Sequence, residues 1–169
     1  MTNIEMLENT LPIAPLKLIA MESCKPLGQK VNDYIVSFRE NTINEVTESP
    51  LYRNYKANNY LVDCSCPRFG SGEAKGILKE TIRGTDLFIM TDVCNYSLTY
   101  TVNGHLNHMS PDDHYQDLKR IIAAVGGKAK SITVIMPFLY ESRQHKRSGR
   151  ESLDCALALQ ELIDMGVNN

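Results

Sequence analysis

The segment with the most evident chemistry is residues 142–150, Ser-Arg-Gln-His-Lys-Arg-Ser-Gly-Arg, which we call the basic segment. Arginine forks and lysine ammonium groups suit phosphate oxygens. The segment follows a predicted strand, and parallel α/β sheets bind ligands beside the carboxyl ends of their strands. The pattern favours an anion site, and a solvated basic loop is the alternative. The segment has no acidic residue, and its cations are Arg143, Lys146, Arg147 and Arg150.

A second candidate is the glycine-rich stretch of residues 69–73, Phe-Gly-Ser-Gly-Glu. Glycines allow the backbone to approach a ligand closely, and an exposed phenylalanine can stack on a base. An ordinary hairpin turn is the alternative. The stretch is not a phosphate-binding P-loop, because Gly-x-x-x-x-Gly-Lys-Ser/Thr does not occur in the chain.

Three histidines within ten residues, His105, His108 and His114, suggest a metal site. No carboxylate or cysteine completes a compact ligand set, since Asp112 and Asp113 are explained by capping of a helix. We therefore interpret the three as surface histidines and predict no metal ligands. No Gly-x-Ser-x-Gly, His-Glu-x-x-His or Gly-x-Gly-x-x-Gly motif occurs, so we predict no catalytic residues within this chain.

Composition bounds the class of protein. The 169 residues suffice for one domain, and 43% hydrophobic with 22% charged residues is typical of a globular protein. The net charge of −2 argues against general nucleic-acid binding. No apolar run approaches the roughly 20 residues of a membrane helix. The five cysteines form no Cys-x-x-Cys pair, and we interpret them as reduced, mostly buried thiols of a cytoplasmic protein.

The elements that must position these residues alternate between strand and helix. Strands are predicted at 16–21, 60–64, 86–91 and 131–136, and helices after Ser23, after Ser110 and at about 152–165. Such alternation predicts a parallel sheet with helices on both faces. Ligands are then expected at the loops that follow Met21, Cys64, Thr91 and Met136.

The sequence also predicts where the helices begin and end and which of their faces are buried. Ser23 is expected to cap the first helix, and the region 39–59 to be a loop or a short strand with turns. Ser110, Pro111 and two aspartates are typical of a helix start, and Gly126-Gly127 of its end. The last helix is apolar almost all round, so we expect it to be covered on more than one side. The expected buried face of the first helix comprises Leu27, Val31, Tyr34, Ile35 and Phe38.

Two blocks resemble the ribose-phosphate pyrophosphokinase (PRPP synthetase) family. Residues 69–73 and Glu-Thr-Ile-Arg-Gly-Thr-Asp at 80–86 resemble the family's Phe-x-Asn-x-Glu and Glu-Ser-Val-Arg-Gly-x-Asp. Residues 131–147, Ser-Ile-Thr-Val-Ile-Met-Pro-Phe-Leu-Tyr-Glu-Ser-Arg-Gln-His-Lys-Arg, resemble Arg-Ile-Thr-Ala-Val-Ile-Pro-Tyr-Phe-Pro-Tyr-Ala-Arg-Gln-Asp-Lys-Lys. The likeness covers about residues 16–167.

The resemblance implies an α/β fold, a phosphoribosyltransferase-like three-layer αβα sandwich with a mainly parallel sheet. It implies an enzyme of nucleotide biosynthesis that transfers the β,γ-diphosphate of ATP to ribose 5-phosphate, using Mg²⁺. It also implies a homo-oligomer, because the family's ATP site combines the Arg-Gln segment of one subunit with the phenylalanine loop of a neighbour. The ATP-binding residues carried over are Phe69, Ser71, Glu73, Arg143, Gln144, His145, Lys146 and Arg147.

The chain departs from the family pattern at two of these positions. Ser71 replaces the family asparagine and His145 the aspartate, and the loop of residues 92–109 is longer. These changes leave two alternatives open, a non-catalytic regulatory subunit that assembles with true synthetases, or a nucleotide-binding or phosphate-binding interaction domain. A flavodoxin-like or receiver-type domain is disfavoured, because Glu22 is the lone acidic residue at the first strand end.

The expected domain organisation follows from the same likeness. Residues 1–15 are expected to be an N-terminal extension, residues 16–169 to be the N-terminal α/β domain, and the C-terminal catalytic domain to be absent. Gly166 and Val167 predict the start of a further strand. The family's metal motif, ribose-phosphate loop and catalytic Lys/Arg loop do not occur here. We therefore expect Mg²⁺ ligands and ribose 5-phosphate binding in the full-length enzyme alone, and no turnover from this chain by itself.

Overall fold

The computed structural model describes residues 12–43 and 55–169, so the predictions for residues 1–11 and 44–54 lie outside it. In chain order the strands are β1 Leu16–Ala20, β2 Cys64–Ser65, β3 Ile77–Leu78, β4 Asp86–Met90, β5 Thr99–Val102, β6 His105–His108 and β7 Ser131–Ile135. The helices are α1 Lys25–Ile43, α2 Pro111–Val125 and α3 Asp154–Asp164, with a short 3-10 turn at Glu22–Cys24.

A parallel sheet in the order β1-β4-β7 forms the centre of the molecule. At one edge Leu61 bridges Leu18, with the Val62 amide donating to the Leu18 carbonyl at 2.7 Å. At the other edge the Asn168 amide donates to the carbonyl of Ile132 at 2.8 Å. The predicted strand at 60–64 therefore joins the sheet only briefly, and Cys64 turns away into an antiparallel pair of β2 with β3.

Helices cover both faces of the sheet. Ile19 and its neighbours on β4 and β7 pack against α2 and α3 in the main core, which contains Leu118, Ile121 and Leu162. Ala20, on the opposite face because side chains alternate along a strand, lies against Gly28 of α1. The three-layer αβα arrangement and the mainly parallel sheet are therefore confirmed.

Helix α1 differs from its prediction in three respects. Ser23 is not an N-cap, since it lies within the 3-10 turn and its hydroxyl accepts from the Asp92 amide at 3.0 Å. The helix continues to Ile43, through part of the region expected to be a loop. Leu27 and Tyr34 are exposed, because Gly28 and Asn32 make the close contacts with the sheet instead.

Helix α2 begins and ends as predicted. The Ser110 hydroxyl accepts from the Asp113 amide at 3.1 Å, and the Asp113 carboxylate accepts from the Ser110 amide at 2.9 Å. This capping box satisfies amides that the helix itself leaves unbonded. Gly126 ends the helix with φ of +57°, a left-handed conformation that favours glycine. The predicted stripe is buried, and it comprises Leu118, Ile121, Ile122 and Val125.

Helix α3 is covered on one side only in this chain. Cys155, Ala158 and Leu162 are buried, whereas Leu157 and Ile163 are 58% and 60% exposed. The expectation of cover on more than one side is therefore wrong for a single copy. None of the described helices is long and apolar enough to cross a bilayer.

Candidate functional site

The basic segment connects β7 to α3, beside the carboxyl end of β7. Arg143, Lys146, Arg147 and Arg150 are exposed, and within the described ranges none has a carboxylate within 4.0 Å. Gln144 is half-buried, and its carbonyl accepts from the Cys155 amide at 3.4 Å. The segment therefore presents cations in solvent while its middle is attached to the first turn of α3.

His145 forms a local contact. The carbonyl of Ser142 lies 3.0 Å from Nδ1 of His145, an arrangement that requires a proton on that nitrogen. The preceding Glu141 has φ of +55°, and its carbonyl accepts from the Gln144 amide at 2.9 Å. These contacts form the turn that carries Arg143.

A pair of stacked tyrosines lies at the start of the basic segment. The rings of Tyr140 and Tyr115 are 4.2 Å apart and nearly parallel, at 6°. The Tyr140 hydroxyl donates to Asp112 at 2.7 Å, and the Tyr115 hydroxyl donates to the Ala158 carbonyl at 2.7 Å. Burial raises the pKa of both phenols, as do the carboxylates of Glu161 beside Tyr115 and of Asp112 beside Tyr140, so both phenols remain protonated donors. Sequence analysis missed this pair, because the residues are 25 positions apart in the chain.

The second predicted site segment is a hairpin of residues 68–74, which we call the phenylalanine hairpin. Arg68 bridges Ala74, and the Phe69 amide donates to the Glu73 carbonyl at 2.6 Å. The Phe69 ring is 51% exposed, and the Ser71 hydroxyl donates to the Glu73 carboxylate at 2.8 Å. An exposed aromatic ring and a fixed carboxylate are thus available on one turn.

A buried ion-pair cluster attaches this hairpin to α2. Asp117 accepts from Arg68 at 2.9 Å and from Arg120 at 2.6 Å, and its side chain is only 7% exposed. The Arg68 guanidinium lies 4.8 Å from the centroid of the Tyr100 ring. Burial raises the pKa of Asp117, although hydrogen bonding to Arg120 and the charge of Arg68 oppose that shift. The cluster therefore determines the position of Phe69, which follows Arg68.

Two residues after the phenylalanine hairpin, the chain approaches α2 closely at Gly76. A Cβ atom there would overlap the backbone carbonyl of Arg120, so the contact requires a glycine. Among the described residues, no hydrogen bond, ion pair or ring contact joins the hairpin to the basic segment. The structure thus holds each predicted segment in a defined place but does not bring the two together within one copy.

A cavity of about 290 Å³ lies where three of the predicted loops converge. Its lining includes Glu22, Ser65 and Tyr100, which follow the first, second and third predicted strands. The loop after Met136 does not reach it. Burial raises the pKa of the Cys64 and Cys66 thiols to about 11 and about 12, so both are poor nucleophiles.

One of the three histidines that were predicted to lie at the surface is buried. His105 and His108 are exposed on β6, but His114 is buried in α2, where Nε2 lies 2.7 Å from the Asn95 carbonyl. The sequence feature that could have indicated this burial is the position of His114, one helical turn before Leu118 on the buried stripe of α2. In the part of the chain that the structure describes, no group of three His, Cys, Asp or Glu residues is placed to hold a metal ion. All five cysteines are free thiols, with Cys94 exposed.

Fold and site together define an α/β protein with an exposed cationic loop at the carboxyl end of a parallel strand. Residues 16–166 match the model of the N-terminal domain of ribose phosphate pyrophosphokinase, so the chain belongs to this family. The resemblance inferred from the two sequence blocks is thereby confirmed.

Named relatives agree with this assignment. Ribose-phosphate pyrophosphokinase of Staphylococcus epidermidis is 25% identical over 164 residues, 96% of this chain and 40% of the relative. The enzyme of that name from Parasynechococcus marenigrum is 31% identical over 104 residues, 61% of this chain and 28% of the relative. The chain thus spans less than half the length of these relatives.

A solved structure shares the fold. Phosphoribosylpyrophosphate synthetase from Mycobacterium smegmatis aligns with a TM-score of 0.62 and 21% identity, covering 90% of this chain and 40% of the other. The α/β fold therefore corresponds to the fold of that family.

Proposed function

We propose that this chain is the ATP-binding and oligomer-forming half of a cytoplasmic ribose-phosphate diphosphokinase. The complete enzyme makes 5-phosphoribosyl 1-diphosphate from ATP and ribose 5-phosphate. The observation that carries the proposal is the basic segment. Its cations are solvent-exposed at the carboxyl end of β7 and have no ion-pair partner among the residues that the structure describes. Membership of the family supplies the reaction.

In this proposal the basic segment binds the polyphosphate. Arg143 donates two parallel hydrogen bonds to phosphate oxygens, while Lys146 and Arg147 add positive charge. Transfer of a phosphoryl-type group depends chiefly on positioning and charge neutralisation, which such side chains supply. Gln144 contacts the adenine and His145 lies beside the nucleotide.

The phenylalanine hairpin of a neighbouring copy completes the site. Phe69 stacks on the adenine, and Ser71 and Glu73 hydrogen-bond near it. Stacking of the adenine between Phe69 and an arginine side chain of the basic segment, with the cation–π attraction that this brings, contributes about 1–2 kcal/mol to binding. The absence of any contact between hairpin and basic segment among the described residues of one copy supports a shared site, and therefore a homo-oligomer.

Mg²⁺ accompanies ATP in this chemistry and neutralises its phosphates. The described residues do not fit a protein-held metal, because they offer no group of three ligating side chains. We therefore assign Mg²⁺ and ribose 5-phosphate contacts to parts of the complete enzyme beyond these residues.

Calorimetric titration with Mg-ATP tests the proposal. Loss of a charge-assisted contact in Arg143→Ala is expected to weaken binding about 10-fold or more, since such bonds contribute roughly 1.5–3 kcal/mol. Arg83→Ala is the matched control, because Arg83 is also exposed but precedes the amino end of β4, whereas the basic segment follows the carboxyl end of β7. Equal affinity of the wild type and Arg143→Ala, or no binding by the wild type, would overturn the proposal.

A further inference from the structure

We propose that Tyr140 is a positioning residue for the basic segment. By stacking on Tyr115 and donating to Asp112, it fixes the chain three residues before Arg143, and so prepares Arg143 and Gln144 for a nucleoside polyphosphate. The inference rests on the proposed function of that segment. It assigns a role to a residue that the family pattern does not indicate, since the pattern has proline at this position.

Two side-chain contacts attach Tyr140 to α2. Its ring lies flat on Tyr115 at 4.2 Å, and its hydroxyl is 2.7 Å from Asp112. By contrast, neighbouring Phe138 and Leu139 are 48% and 39% exposed. Tyr140 is therefore the point at which the chain leaving β7 is attached to α2.

Its partner Tyr115 is itself held firmly. The ring is 5% exposed, and its hydroxyl bonds the Ala158 carbonyl of α3 at 2.7 Å. Glu161 lies 3.1 Å from the same hydroxyl and forms an ion pair with Lys119 at 2.9 Å. Tyr140 thus stacks on a ring that is fixed by both α2 and α3, the helices that adjoin the basic segment.

Beyond Tyr140 the segment has few restraints. The longer side chains are exposed, and most backbone contacts are local turns. The Ser142 amide donates to the Leu139 carbonyl at 3.2 Å and the Gln144 amide to the Glu141 carbonyl at 2.9 Å. The Ser148 amide donates to the Glu151 carboxylate at 3.2 Å, and the bond from the Cys155 amide to the Gln144 carbonyl is 3.4 Å long. A loop that is ordered before binding loses less conformational entropy when a ligand binds. Attachment at Tyr140 should therefore increase affinity even though Tyr140 itself does not contact the nucleotide.

Hydrogen–deuterium exchange and Mg-ATP titration together test the role. Tyr140→Ala is expected to speed exchange of amides 141–147 about 10-fold, leave β4 amides unchanged and weaken Mg-ATP binding about 5-fold. Tyr140→Phe retains the stack and loses the hydroxyl bond, so both effects should be about half as large on a logarithmic scale. Tyr60→Phe is the control, because it removes a hydroxyl bond of similar length, to the Tyr55 carbonyl at 2.8 Å, in a part of the chain that adjoins neither candidate segment.

The outcomes separate this inference from the proposed function. Unchanged exchange at residues 141–147 in Tyr140→Ala overturns the inference, whatever the affinity. Faster exchange with unchanged Mg-ATP affinity also overturns it, because Tyr140 is then structural only. If the wild type does not bind Mg-ATP, the proposed function fails, and the positioning role for a polyphosphate fails with it. The exchange experiment then still measures whether Tyr140 orders the basic segment.

Discussion

Asp117 shows how a single residue can determine the position of a candidate site segment that it does not belong to. Its carboxylate is buried between the guanidinium groups of Arg68 and Arg120, and Arg68 begins the phenylalanine hairpin. An unpaired guanidinium in this place would lack a partner away from water, which is far more costly than a missing surface ion pair. The stability of the hairpin should therefore depend on this carboxylate.

Asp117→Asn is expected to lower the free energy of unfolding by about 3 kcal/mol, the scale for removing one partner of a buried ion pair. Chemical denaturation monitored by circular dichroism measures the change. Asp63→Asn is the control, because its pair with Lys79 at 3.4 Å joins side chains that are 73% and 60% exposed. We expect less than about 0.5 kcal/mol there. A loss of the same size at both positions would show that the burial of Asp117 is unimportant.

The sequence alone could not predict the roles of Asp117 and Tyr140. The types and spacing of the basic segment and of residues 69–73 indicated both candidate segments, because charge and glycine content are visible in the chain. Asp117 and Tyr140 acquire their roles from partners 49 and 28 positions away, at Arg68 and Asp112. Nothing local distinguishes Asp117 from any other polar residue of a helix.

At the scale of elements, local signals predicted α2 and failed for α1. The start and end of α2 depend on Ser110, Asp113 and Gly126, all within the helix or one residue away. The buried face of α1 instead depends on tertiary contacts, with Gly28 against Ala20 and the Asn32 side chain accepting from the Tyr60 amide at 2.8 Å. A hydrophobic pattern cannot predict which face of a helix is buried when the closest contact of that face is made by a glycine.

Gly28→Ala tests this contact between α1 and the sheet. Alanine favours a helix over glycine by about 1 kcal/mol, but its methyl group would overlap the Cβ atom of Ala20. Since the Cβ atom of Ala20 is attached directly to the backbone of β1 and cannot rotate away, overpacking of about 1–3 kcal/mol should exceed the gain. We expect a net loss of stability in thermal denaturation. Ser37→Ala on the exposed side of α1 is the control and should be neutral or slightly stabilising, and a stabilised Gly28→Ala would contradict the packing described.

At the scale of the whole molecule, strand–helix alternation was sufficient to predict a parallel sheet between helices. It was not sufficient to relate the two candidate segments, because both leave the sheet through loops whose course depends on α2 and α3. In one copy the described residues place no contact between Phe69 and the basic segment. The exposed side of α3, with Leu157 and Ile163, also shows that a single copy leaves apolar surface uncovered.

A shared nucleotide site makes a prediction about mixtures that a site within one copy does not. Phe69→Ala and Arg143→Ala should each weaken Mg-ATP binding when alone. In mixed oligomers, a site that combines the intact Phe69 of one copy with the intact Arg143 of another is wild type. Random assembly of equal amounts gives about one quarter such sites, because each of the two contributions is intact in half of the copies.

Refolding the two variants together and titrating the mixture with Mg-ATP measures this fraction, with each variant refolded alone as the control. If Phe69 and Arg143 instead act within one copy, every site in the mixture carries one lesion and no tight binding returns. Light scattering on the same samples adds an independent requirement, since restored binding must accompany an oligomer. A strictly monomeric chain at high concentration would exclude the contribution of Phe69 to a neighbour's site.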